Sequence, residues 1–255
     1  MTTGYEEQRV LGDVAQPKSD IYTPTSAQKY RLGTRLAKAD GRVFRYAQAN
    51  ASTALVAGDL IQSKASGAIA TEQQDLTIAT ASAVGDDFGY ATILTDTTTT
   101  KDYFADGWYI VSDGTAAQGC GQIYQIKSHP AAAAASCKFT FYDKIKVLIS
   151  TSAKAGLIIN PYKLVIQAPT TETGFAVGVA LTAVTVSYYF WLQTWGPCNM
   201  LIKTALTPGL QVVSDNSAAG SGGVSSGAEP EVCIGYAMQT CDTTDNGLVY
   251  LMIAP

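Results

Sequence analysis

A five-residue pattern that returns late in the chain constrains the fold most. Val177, Gly178, Val179, Ala180 and Leu181 are matched by Ile234, Gly235, Tyr236, Ala237 and Met238, an offset of 57 residues (235 minus 178). Each copy leads to a second apolar run, Tyr189, Phe190, Trp191 and Leu192 in the first and 248–253 in the second. Short runs rich in β-branched and aromatic residues describe strands, and a pattern that returns whole describes duplicated units packed together. A glycine inside such a strand marks a bulge or a close approach by another backbone. Two related hairpins are expected in one C-terminal unit.

The same punctuation runs through the rest of the chain. Gly58, Gly156 and Gly209 each open a run of strand formers, at 59–61, 157–159 and 210–213. Asp40 and Gly41 lie between two strand-like runs, which is strong hairpin chemistry because a tight turn needs positive φ. Asp106 and Gly107 precede Trp108, Tyr109, Ile110 and Val111, and Asp113 and Gly114 close that run. Only 15% of residues are charged and 14 are tyrosine, so little salt-bridged helix surface is available. The chain reads as all-β, built of short-strand barrel-like or sandwich-like modules with an extended N-terminal arm. The expected division is an arm at 1–32, a β domain with a large insert region at 33–170, and a compact β domain at 171–255.

Residues 1–32 lack strand or helix periodicity and carry Tyr5, Tyr22 and Tyr30. They are expected to lie along a neighbouring subunit rather than fold back. The acids and bases of the first residues exclude a signal peptide, so a soluble, non-secreted product is expected. Residues 175–195 hold no charge and are long enough to cross a bilayer. Their threonines, β-branched content and repeat relation to a charged segment argue for a hairpin instead, so no membrane partner is expected.

Reactive chemistry is sparse. One histidine, His129, stands before Pro130, where an exposed or capping role outweighs ligation or general-base work. Gly223, Ser225 and Gly227 spell the nucleophile-elbow pattern, but within a Gly/Ser-rich loop with no helix to follow. Asp86, Asp87, Asp96, Asp102 and Asp106 cluster without the spacing of a calcium loop and read as a solvated face. Neither a phosphate-binding loop nor a dinucleotide fingerprint occurs. No catalytic residue, metal or cofactor is expected. The five cysteines lack metal spacing. Free thiols are expected, with a cross-hairpin disulfide between Cys233 and Cys241 left open. A net charge of -4 lacks the basic footprint a nucleic-acid binder needs. Tyr188, Tyr189, Phe190, Trp191 and Trp195 exceed what one small sheet face usually hides, which leaves core packing and a subunit interface as competing readings. The interface candidates are Tyr5, Tyr22, Tyr30, Tyr188, Trp191 and Trp195.

The hairpin at 36–46, the run at 57–61, the segments 105–111 and 122–128, and the strands at 177–181 and 234–238 resemble those of tailed-bacteriophage capsid cement or decoration proteins. The resemblance implies a non-enzymatic virion protein on the outer capsid surface, made in the host bacterial cytoplasm. Its implied partners are the major capsid protein and further copies of itself, as a trimer. The length of the chain and the segment from about 62 to 150 depart from the simplest members. An alternative is a tail, baseplate or head-fibre component that binds host carbohydrate. A polysaccharide-degrading enzyme would need two carboxylates facing across a cleft, and nothing in the sequence points to such a pair.

Overall fold

The computed structural model describes residues 20–65, 72–94, 98–112, 118–133, 135–227 and 231–255. Among the described residues the fold is all-β without an α-helix, with 45% of them in strands or bridges. Three strands come first, β1 (Arg35–Ala37), β2 (Val43–Gln48) and β3 (Leu60–Gln62). Eight follow within a separate compact unit, Lys64–Lys163: β4 (Glu72–Thr77), β5 (Phe88–Thr92), β6 (Thr98–Thr99), β7 (Trp108–Ser112), β8 (Ile123–Ser128), β9 (Ala132–Ala133), β10 (Ser136–Phe141) and β11 (Lys154–Ile158). The chain then rejoins the first unit through β12 (Ile166–Gln167), β13 (Ala176–Ala180), β14 (Tyr189–Ile202), β15 (Gln211–Ser214), β16 (Gly222–Val224), β17 (Cys233–Ala237) and β18 (Asp245–Met252).

Within the first unit, β14, β16, β15, β17 and β18 pair in a closed circuit, a five-stranded barrel. The β14–β16 contact is parallel, at Ile202 and Gly222, and the other pairs are antiparallel. The remaining strands trace the same circuit a second time: β2 pairs with the first half of β14, β14 with β13, β13 with β3, and β3 with β12. A single parallel bridge between Ala49 and Val165 completes it. Val165 and Gly222 are themselves 57 residues apart.

The correspondence extends to individual residues. The bridge Leu55–Val184 reappears as Leu206–Cys241. The pairs Leu60–Val179, Ile61–Gly178 and Gln62–Ala176 reappear as Gln211–Tyr236, Val212–Gly235 and Val213–Cys233, with the same break in register. Gly58 and Gly209 occupy matching turns at φ of 87° and 86°, each donating its N–H to the last residue of the glycine strand, Ala180 or Ala237. The central glycines hold the closest approaches. A Cβ on Gly178 would lie 2.4 Å from the Gln193 carbonyl oxygen, and one on Gly235 would lie 2.2 Å from that of Tyr250. The duplicated glycine expected from the sequence is thus a crowding requirement met twice.

The repeat also locates the other unit. Matching positions near β13 and β17 differ by 57 (241 minus 184), whereas those near β3 and β15 differ by 151 (206 minus 55). The first copy therefore carries 94 extra residues (151 minus 57) between β3 and β12. Subtracting these offsets maps loop residues 215–220 onto 64–163, the bounds of the second unit. That unit is an insertion in one loop of a duplicated barrel. Its sheet, ordered β4-β11-β7-β8-β10-β5, curls around Tyr109, Tyr124, Phe139 and Phe141. Its two ends converge on one residue: Lys64 Nζ donates to the Tyr103 hydroxyl at 3.1 Å, and Lys163 Nζ to the Tyr103 main-chain carbonyl at 2.5 Å.

This division corrects the expected one. Residues 171–255 are not a domain apart, because β13 and β14 take β3 and β2 as partners across the insertion, and 33–170 is split between the units. Gly156, in β11 of the insertion, has no place in the repeat. The hairpin around Asp40 and Gly41 is present, with Ala37 opposite Val43. Asp106 and Gly107 form the turn before β7, and Asp113 and Gly114 lie outside the described residues.

Two outcomes follow from the repeat. Replacing residues 64–163 with a copy of 215–220 is expected to leave a folded two-barrel protein with a single cooperative urea transition and a mean-residue β signal by circular dichroism close to the parent's. Gly235→Ala is expected to destabilise the first unit by about 2–3 kcal/mol in the same measurement, whereas Gly209→Ala, with open space around it, is limited to its positive-φ penalty of roughly 1 kcal/mol.

Candidate interaction surface

The aromatic residues singled out in the sequence separate into two groups. Tyr30 stands edge-on to Tyr46, with ring centroids 5.3 Å apart, and lies 5.4 Å from Trp191. Tyr46 also stacks on Tyr189. These side chains form a belt on the outside of the first barrel, and residues 20–32 cover it. Thr25 and Tyr189 exchange both backbone hydrogen bonds at 2.8 Å, while Ile21, Leu32 and Trp191 are buried. The described part of the expected arm thus folds back onto its own chain, a correction to the sequence reading. It needs no periodicity of its own because the barrel supplies the apolar surface. Tyr22 is exposed, Tyr188 is half-buried, and Tyr5 lies outside the described residues.

Side chains with catalytic potential are engaged in local structure. Ser225 and Ser226 donate their hydroxyls to the Glu231 carboxylate at 2.5 Å, which holds that carboxyl down to about 2. His129 is buried rather than exposed; its Nε2 accepts the Phe104 backbone N–H at 2.9 Å and its Nδ1 donates to the Pro130 carbonyl. Burial pushes its pKa down, so the ring is neutral and acts as a cap. Asp86 accepts the Ala83 N–H, Asp102 the His129 N–H, and Asp106 the Tyr142 hydroxyl; Asp96 lies outside the described residues. Among the described residues no three histidine, cysteine or acidic side chains gather as a metal set. All five cysteines, Cys233 and Cys241 included, are free thiols. Burial raises Cys137 to about 11 and Cys198 to about 12, far from the thiolate a nucleophile requires.

A different surface is left open. On the outside of the second barrel, Tyr236 of β17 faces Tyr250 of β18 directly, and Trp195 of β14 stands edge-on to Tyr250 at 6.0 Å. Met252 lies opposite Trp195, and the Met238 N–H extends the ladder to Leu248. Tyr236, Met238 and Met252 are 45%, 42% and 44% exposed. Six large uncharged side chains therefore share one face, of which only Trp195 was among the interface candidates read from the sequence. The missed residues carried a signal, the alternation of inward Val249 and Leu251 with outward Leu248, Tyr250 and Met252. No family model, curated protein or solved structure matches the chain.

A buried carboxyl lies in the first unit's interior. Asp59, in the turn entering β3, is buried and accepts a single side-chain hydrogen bond, 2.7 Å from Gln167 Nε2. Burial raises its pKa to about 6. Because the folded state then holds the proton more tightly than the unfolded chain, stability rises as pH falls from about 7 towards 4. Asp59→Asn is expected to remove that pH-dependent gain, of order 2–3 kcal/mol, and to be more stable than the parent at pH 8. Urea titrations at pH 4.5 and 8 read both effects, and a mutant retaining the parent's pH slope would exclude Asp59 as its source.

Proposed function

We propose that this protein is a non-enzymatic structural component of a phage virion that binds and stabilises the outer surface of the capsid. The observation that carries the reading is where its motifs lie. The run at 57–61 and the strands at 177–181 and 234–238, on which the resemblance to cement proteins rests, form the matching corners of the two barrels. The shared features are therefore those that specify the architecture. A low charge density, an aromatic outer face and reactive groups occupied in local bonds support an adhesive role over a chemical one. The proposed partners are the major capsid protein and further copies of this chain, as a trimer.

Such a protein acts by mass action. Binding only to the assembled shell shifts the assembly equilibrium towards it, and contacts repeated by lattice symmetry give avidity without one tight site. Purified protein added to expanded shells lacking it is expected to bind at a saturating copy number set by the lattice and to raise their disruption temperature. Electron cryomicroscopy of the decorated particle would place it on the outer surface. Failure to bind shells, together with selective retention of oligosaccharides on a glycan array, would replace this reading with the carbohydrate-binding alternative.

A further inference from the structure

Arginine is confined to the start of the chain. All five arginines lie within the first 45 residues and four of them between 31 and 45, whereas residues 46–255 carry nine lysines and no arginine. Residues 29–45 hold six cations and one acid, a net charge of +5 (6 minus 1), so the rest of the chain sums to -9 (-4 minus 5). This segment is the β1–β2 hairpin and the residues leading into it.

Its cations are poorly neutralised. Arg35 stands directly opposite Arg45, and Lys29, Arg31, Arg35 and Lys38 are exposed. Arg42 donates to the Asp40 carboxylate at 2.8 Å and to the Tyr22 hydroxyl, and the Arg42–Asp40 contact is the one ion pair among the described residues. Arg45 donates to the main-chain oxygens of Gly33 and Pro255 at 3.2 and 2.8 Å, while its buried Nε has no partner. No described group engages the Arg35 guanidinium. Like charges directly opposite one another destabilise a strand pair. A single charge on an edge strand such as β1 deters stray pairing, but that need is met equally by lysine and does not explain arginine here and lysine everywhere else.

Guanidinium differs from ammonium in geometry, since its fork donates two parallel hydrogen bonds to one planar oxyanion. The fork is also held in place, because Leu36 and Phe44 are buried within the hairpin. A phosphate polymer is drawn in by long-range charge, which the -9 of the remaining chain opposes. Arginine beside an exposed tyrosine, here Tyr22 at 54%, is instead the composition of protein–protein contact centres.

We infer that the β1–β2 hairpin, through Arg35, Lys38, Arg42 and the adjoining Tyr22, docks on a carboxylate-rich surface of another protein. The inference rests on the reading proposed above for the source of that surface, the shell.

The test is fluorescence anisotropy of a labelled oligoglutamate peptide, and of an oligothymidylate of equal charge, at about 50 mM salt, where screening is weak. Arg35→Ala combined with Lys38→Ala is expected to weaken peptide binding about tenfold with the parent's melting temperature. Arg35→Lys, which keeps the charge and loses the fork, is expected to bind more weakly than the parent. Lys127→Ala combined with Lys144→Ala, at exposed positions of the insertion, makes the same change in net charge and is expected to bind as the parent does. Equal losses in the two double variants would overturn the hairpin as the site, and tighter binding of the oligothymidylate would overturn the carboxylate partner. Shells separate this inference from the reading beneath it. A hairpin variant that still decorates them like the parent would overturn the docking face alone, whereas a parent that binds the peptide through the hairpin but no shells would overturn the shell and leave the face standing.

Discussion

Everything in the first unit depends on one strand that belongs to two barrels. β14 runs for 14 residues, pairing through Tyr189–Gln193 with β2 and through Trp195–Ile202 with β18. A strand that serves two closed sheets must pass from one to the other, and it does so at an irregularity between residues 193 and 197. The register slips between Gln193 and Trp195, Gly196 adopts a φ of 84°, and Pro197 contributes no N–H. The Gln193 side chain meets this irregularity by donating to the Pro197 carbonyl at 2.8 Å. Thr194 binds the other end of the chain, its hydroxyl donating to Ala254 O at 2.6 Å and its carbonyl accepting the Ile253 N–H. A bulge of this kind reorients a strand at the cost of local ladder bonds, and here side-chain and terminal groups restore them.

The strands and their duplication were legible in the sequence because both rest on local rules. Gly178 and Gly235 announce themselves by position within apolar runs, and the turns at Gly41, Gly58 and Gly209 by the need for positive φ. What could not be read was pairing. Nothing local in Val43–Gln48 names a partner 141 residues away at Tyr189, and an insertion hides the equivalence of β3 and β15 by adding length to only one copy. The N-terminal segment was misread for a related reason. Ile21, Tyr30 and Leu32 follow no period because they fill the relief of a surface that exists only once the barrel has closed. The outer aromatic face was half visible, since Trp195 stands in a conspicuous run while Tyr236 and Met252 look like ordinary strand residues until the inward side is known.

The same logic separates polar residues that build from those that react. Ser225, His129 and the acids of the insertion are spaced suggestively in the sequence, but each is engaged by a neighbour that a turn or hairpin brings near. Buried polar groups are costly unless bonded, so a fold of short strands and many turns consumes such side chains as caps. Asp59 is the exception, a buried carboxyl with one side-chain donor where Gly220 leaves room; a Cβ there would sit 2.8 Å from its Cγ.

The insertion also has a consequence for how the molecule is made. The second barrel is complete within residues 195–252, and its strands meet over short sequence distances. The first barrel needs β2 and β3 to find β12, β13 and β14 after 100 intervening residues have been synthesised, and such distant pairings are slow to form. A folded insertion whose two ends both reach Tyr103 shortens the loop that those pairings must close and so lowers its entropy cost.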